Sequence, residues 1–128
     1  MHHMTHSQMS QEMQECIDNC LNCHSTCVEA TNHCLQMGGP HAEPTHIRLL
    51  MDCAQVCQTS ADFMLRMSDL HPETCGVCAD VCERCAIDCE RFGDDETMKA
   101  CAQVCRKCAE SCRSMAGTGG STRGRMAT

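Results

Sequence analysis

Residues 75–89 read CGVCADVCERCAIDC. Cys75, Cys78, Cys82, Cys85 and Cys89 follow one another in steps of 3, 4, 3 and 4. Such steps hold side chains on one face of an α-helix. Their average of about 3.5 is the seam of a helix bundle. His71 and Phe92 extend the same stripe at its two ends. Asp80, Glu83, Arg84, Asp88 and Glu90 fall between the cysteines, which is the composition of a solvated outer face. The stretch therefore predicts a helix whose buried side is sulfur.

The same rhythm recurs three times. Before it, Met9, Met13, Cys16, Cys20, Cys23, Cys27, Ala30 and Cys34 alternate in steps of 4 and 3. His46, Leu50, Cys53, Cys57, Ser60, Met64 and Met67 do likewise, with Ser60 where a cysteine would fit. After it come Met98, Cys101, Cys105, Cys108, Cys112 and Met115. All 16 cysteines lie on these four stripes. Gly38-Gly39-Pro40 ends the first helix, and Pro44 and Pro72 suit the first turns of the second and third. Gly93 suits the end of the third, Asp94 is placed to cap the fourth, and Gly117 to close it. Asp80 with Arg84 and Asp95 with Lys99 are spaced to pair weakly on the surface. Long helices joined by short connections lie antiparallel. The expected fold is all-α, an antiparallel up-down four-helix bundle with a Cys-lined core over residues 9–116. A His/Met-rich arm (1–8) is expected before it and a flexible tail (117–128) after it.

Composition supports a sulfur core. Val, Ile, Leu and Phe together are 16 of 128 residues, and Trp and Tyr are absent. A charged chain so poor in core formers is disordered unless its cysteines, which pack as small hydrophobes, supply the core. The net charge of −7 argues against nucleic acid. No apolar run reaches the roughly 18 residues of a membrane span. MHHMTHSQMSQEM carries no apolar export signal, so a cytoplasmic, thiol-reducing setting is expected.

Successive cysteines form four CxxC and seven CxxxC links, such as Cys20/Cys23 and Cys16/Cys20. Helical neighbours at these spacings have Cβ atoms about 5–6 Å apart, too far for a disulfide's roughly 3.5–4.5 Å. A metal bridging two thiolates fits the gap better. Thiolates select Cu(I), Zn(II) or iron–sulfur clusters. One Cu(I) per thiolate is neutral overall, so on the order of 16 ions would bury no net charge. Four Zn(Cys)4 sites would bury about eight negative charges at several kcal/mol each. Iron–sulfur clusters draw their ligands from loops, and the Pro-flanked ferredoxin run is missing. A zinc or general thiophilic-metal buffer stays open as the alternative. A thiol redox protein fits less well, because its CxxC belongs at a helix N-terminus and most pairs here are mid-helix.

The segments CIDNCLNCHSTC, CGVCADVCERCAIDC and CAQVCRKCAESC resemble those of the bacterial copper storage proteins, over roughly Met9 to Met115. In lacking an export signal the chain is similar to the cytosolic branch. The resemblance implies storage of many Cu(I) ions per chain along the bundle, no catalysis, and a homotetramer. The implied ligands are Cys16, Cys20, Cys23, Cys27, Cys34, Cys53, Cys57, Cys75, Cys78, Cys82, Cys85, Cys89, Cys101, Cys105, Cys108 and Cys112. In an up-down bundle Met9, Met13, Met64, Met67, His71 and Met115 gather at one end. Their thioether and imidazole groups suit the end where metal enters, though methionine also fills core gaps. His46 continues its stripe at the level of Cys34, at the other end with Phe92 and Met98, and is a candidate for a peripheral ion. His24 and His33 lie off the stripe and are expected on the surface. His2, His3 and His6 form a short arm with Met1 and Met4 that is either a copper-capturing element or inert.

Overall fold

The computed structural model describes the backbone of residues 9–127 and the side chains of residues 9–117. Ser10 opens the first helix, α1 (Gln11–Met37), its hydroxyl accepting the Met13 N–H at 3.0 Å. Gly38 ends α1 with φ 71°, its N–H donating to the Cys34 carbonyl. That left-handed conformation is free of cost only for glycine. Gly39, at φ 56°, turns the chain again into a short 3-10 turn, Gly39–Ala42.

Helix α2 (Pro44–Leu65) and helix α3 (His71–Glu90) each begin with proline in the first turn. There a missing N–H removes no helical bond. Met67, expected on the α2 stripe, lies just beyond the helix at φ 57°. This conformation costs a non-glycine residue about 1 kcal/mol or more, and packing of the thioether on the core offsets it. Helix α4 spans Glu96–Ala127.

Two expected boundaries shift. The cap of α4 is Asp95 and not Asp94: the Asp95 Oδ1 accepts the Met98 N–H at 3.1 Å. Gly117 does not close α4, which continues to Ala127. A glycine inside a helix costs about 1 kcal/mol but does not block the hydrogen-bond ladder, and no proline follows it. The arm at residues 1–8 lies outside the described residues.

The helices pack in a square, with α1 against α2 and α4, and α3 against α2 and α4. The predicted stripes are the buried faces. Every cysteine is buried, as are Met13, Ala30, Leu50, Met64, Met98 and Met115. Flanking them is a second buried column that the stripes omit, formed by Ala54, Ala61, Ala79, Ala86, Ala102 and Ala109. Helices α2, α3 and α4 each contribute a pair seven residues apart, and the lack of side-chain bulk lets the backbones approach.

The surface pairs differ from the intrahelical ones expected. Arg113 from α4 reaches Glu83 at 2.7 Å and Asp80 at 3.6 Å. Arg106 grips Glu90 through two bonds of 2.6 and 2.8 Å. The α3–α4 seam is thus laced by arginines, which leaves Asp80 facing Arg113 instead of Arg84. Lys99 pairs with Glu96 at 3.4 Å, because Asp95 is held in its capping geometry. These exposed pairs each stabilise by about 0–1 kcal/mol.

Candidate metal centre

The steps of 3 and 4 bring thiols from three helices together at successive heights along the bundle axis. All 16 cysteines are free thiols. Their hydrogen-bonded S···S separations run from 3.4 Å (Cys20–Cys112) to 4.0 Å (Cys23–Cys27). A disulfide would need about 2.05 Å. Two thiolates bound at about 120° to one ion with 2.3 Å bonds stand about 4 Å apart. The array therefore sits at metal-bridging distance with little movement required.

The thiols form overlapping groups whose sulfur atoms lie within 4.8 Å of one another. From the methionine end they run Cys16/Cys75/Cys112, then Cys20/Cys78/Cys108/Cys112, then Cys57/Cys78/Cys82/Cys108. Cys23/Cys53/Cys57/Cys82 and Cys23/Cys27/Cys53/Cys105 continue the series. Cys101 follows, 3.9 Å from Cys27. Neighbouring groups share Cys112, Cys78, Cys108, Cys57, Cys82, Cys23 and Cys53, so these thiolates can each bridge two ions and the array forms a continuous column. On α2, Ser60 stands buried at a stripe position where a thiol would fit, while the column itself runs on through thiols of the other helices. The buried Ser60 hydroxyl has no hydrogen-bond partner among the described residues.

Protons are shared along the column. Hydrogen bonds from Cys112, then Cys20 and Cys75, lower the Cys16 thiol. The Cys112 thiol is raised in turn, by Cys108 first and then Cys16 and Cys20. A thiolate at Cys16 is thus stabilised by neighbouring thiols. A soft cation that replaces the thiol protons removes the mutual constraint.

The Cys34 end is built differently. The Cys34 sulfur lies 3.3 Å from His46 Nε2 and 3.7 Å from the Met98 thioether. Burial, with the nearby Asp95 and Cys101, pushes the Cys34 thiol up to about 11. His46 is 1 % exposed, and its Nδ1 meets Asp88 Oδ2 at 2.5 Å. Burial tends to raise the Asp88 carboxyl, but His46 and Arg91, the latter at 2.8 Å, hold it below its ordinary value. A carboxylate on Nδ1 leaves Nε2 free to ligate and fixes the ring.

At the other end Met9, Met13, Met64 and Met115 are buried in the core, with Met67 packed against it. His71 is half-buried, its Nδ1 2.9 Å from the Ser68 carbonyl. The two histidines expected on the surface are engaged. His24 Nδ1 is 2.8 Å from the Ala54 carbonyl, across the α1–α2 seam, and His33 Nε2 is 2.8 Å from Asp95. Asp88, His41 and Asp95 were not visible as functional residues in the sequence. They belong to an outer face, a turn and a helix cap, and no repeat marks them.

Residues 9–117 match the family described as copper storage protein. The chain belongs to the copper storage protein family. A Nitrosospira multiformis protein of solved structure is 49% identical, with 86% of this chain and 99% of that one covered and a TM-score of 0.81. The Cu(I)-bound copper storage protein BsCsp3 is 37% identical over 83% of this chain and 99% of its own, with a TM-score of 0.77. A cytosolic copper storage protein of Streptomyces lividans, solved with five coppers, is 31% identical over 84% and 93%, with a TM-score of 0.73. Among the described residues no helix is long and apolar enough to cross a membrane.

Proposed function

We propose that this chain stores many Cu(I) ions as thiolate-coordinated ions along the inside of the bundle. The observation that carries this reading is the uninterrupted run of overlapping sulfur groups, all buried and all unbonded to one another. Cu(I) enters such a column without leaving net charge behind, one ion replacing one proton. The 16 cysteines are the ligands. Cys34, His46 and Met98 together hold an outermost ion. The Met9, Met13, Met64, Met67, His71 and Met115 end passes ions inward, since thioether and imidazole bind without losing a proton and release more readily than bridging thiolate.

The chain acts as a store and not as an enzyme. It works in the cytosol, a reading supported by the cytosolic Streptomyces relative. It associates as a homotetramer, a reading supported by Leu21, Val28 and Leu35, which repeat every seven residues on α1 and remain exposed. Light scattering is expected to give four chains, and a monomer at micromolar concentration would contradict that part.

Loading under nitrogen with Cu(I) and Zn(II) in competition tests the main reading. Copper on the order of 16 ions per chain, with zinc excluded from the thiols, is the expected result. A few equivalents, or zinc displacing copper, would favour the thiophilic-metal buffer instead.

A further inference from the structure

Beyond the Cys34 end, three side chains with no relation in sequence converge outside the sulfur column. His33 comes from the C-terminal part of α1, His41 from the 3-10 turn, and Asp95 from the cap of α4. The Nε2 atoms of His33 and His41 lie 2.8 and 2.9 Å from the same oxygen, Asp95 Oδ2. The other carboxylate oxygen is occupied as the cap of α4, at 3.1 Å from the Met98 nitrogen. Asp95 is thereby fixed in direction and offers one oxygen to both rings. The left-handed glycines Gly38 and Gly39 return the chain so that His41 stands edge-on to His33, ring centroids 5.8 Å apart.

Phe92 lies between this cluster and the core, 4.3 Å from the His41 ring and 4.8 Å from the His46 ring. The three side chains retain 15–28 % exposure, so an ion reaches them from solvent.

We propose that His33, His41 and Asp95 form a binding site for one divalent first-row transition-metal ion of the Zn(II) class, distinct from the copper column. Two imidazoles and a carboxylate, with a fourth position open to water, are a common zinc donor set. In a tetrahedral site with bonds of about 2.0–2.1 Å the ligand atoms stand about 3.3 Å apart. The two nitrogen–oxygen separations, 2.8 and 2.9 Å, need only an outward relaxation of a few tenths of an ångström. The donor set contains no sulfur and carries a negative charge, which favours a divalent ion over Cu(I). A neutral imidazole ligates through Nε2 by carrying its proton on Nδ1, so the rings lose none. The positive end of α4 opposes a cation, and Asp94 and Glu96 beside Asp95 offset it.

The test uses full-length protein with His2, His3 and His6 changed to serine, which removes the other histidine-rich zinc ligand set. The protein is saturated with Cu(I) under nitrogen, equilibrated with micromolar Zn(II), and analysed for both metals. One zinc per chain with copper unchanged is expected. H33Q, H41Q and D95N should each lose that zinc while keeping copper content and helicity. Because asparagine still caps a helix, D95N separates loss of the ligand from loss of the fold. H24Q is expected to keep the zinc. Absence of zinc, zinc bound only at the expense of copper, or zinc that survives H33Q and D95N would overturn the proposal. Copper content is read independently, so failure of copper loading is seen separately from failure of this site.

Discussion

The two ends of the bundle close the same column with opposite chemistry. One end is a plug of buried thioethers, Met9, Met13, Met64 and Met115, drawn from α4, α2, the first turn of α1 and the residue before its cap. It presents soft ligands that never titrate. The other end is ionic. Cys34 meets His46, His46 is held by Asp88, and Asp88 by Arg91. An imidazole anchored by a carboxylate is a stronger and more rigid ligand than a thioether. The difference underlies the proposal that the ends have different tasks, passage at the methionine end and retention at the Cys34 end.

The largest effect is expected from replacing the thioethers. M13L, M64L and M115L together keep core volume, each swap costing less than about 1.5 kcal/mol. Stopped-flow copper uptake should slow by about tenfold or more, equivalent to at least about 1.4 kcal/mol on the barrier, with final capacity unchanged. An unchanged uptake rate would erase the contrast between the ends. Next, D88N should weaken the outermost ion by about 10–100-fold in a competitive chelator titration, leaving the remaining ions as they were. Equal weakening throughout the column would mean that Asp88 acts on the fold and not on His46. C82S or C105S, in mid-column, should lower capacity by about one ion with helicity intact. Loss of all copper from one such change would indicate a single cooperative site.

The smallest effect is in the apo protein's response to pH. The Cys34 thiol is raised from 9.0 to about 11, so the folded state holds a proton that the unfolded chain gives up. Its contribution to stability is complete below pH 9 and disappears as pH rises toward 11. Thermal melts should fall across that interval, and C34S should flatten part of the fall. At acid pH the sign reverses. Asp88 and Asp95 are held below 3.8, so their contributions are present above that value and fade as pH drops below it. Asp95 owes its shift first to His33, with the Met98 N–H and His41 adding to it against the opposing effect of burial.

The contrast also sorts what was legible in the amino-acid order. Bundle, stripes and sulfur column follow from spacings of 3 and 4, because a helix converts a local period into a buried face. The methionine end was legible for the same reason, since Met64 and Met115 sit on stripes. The alanine column was missed although its spacing of seven is present, because alanine is common on any face of a helix. The ionic end was only half legible. His46 lies on a stripe, but Asp88 sits among ordinary surface charges, and His33, His41 and Asp95 meet only after two glycine turns. Long-range convergence leaves no period to read. The helix beyond Gly117 was missed because a glycine permits a stop without requiring one.

Copper-loaded crystals measured at the copper absorption edge would test the central claim most directly, by placing each ion. A file of ions along the bundle axis, each touching two or three sulfur atoms from the Cys16/Cys75/Cys112 level to Cys34 and His46, is the expected map. Ions on the outer faces, or sulfur atoms joined in pairs with no metal between them, would contradict it.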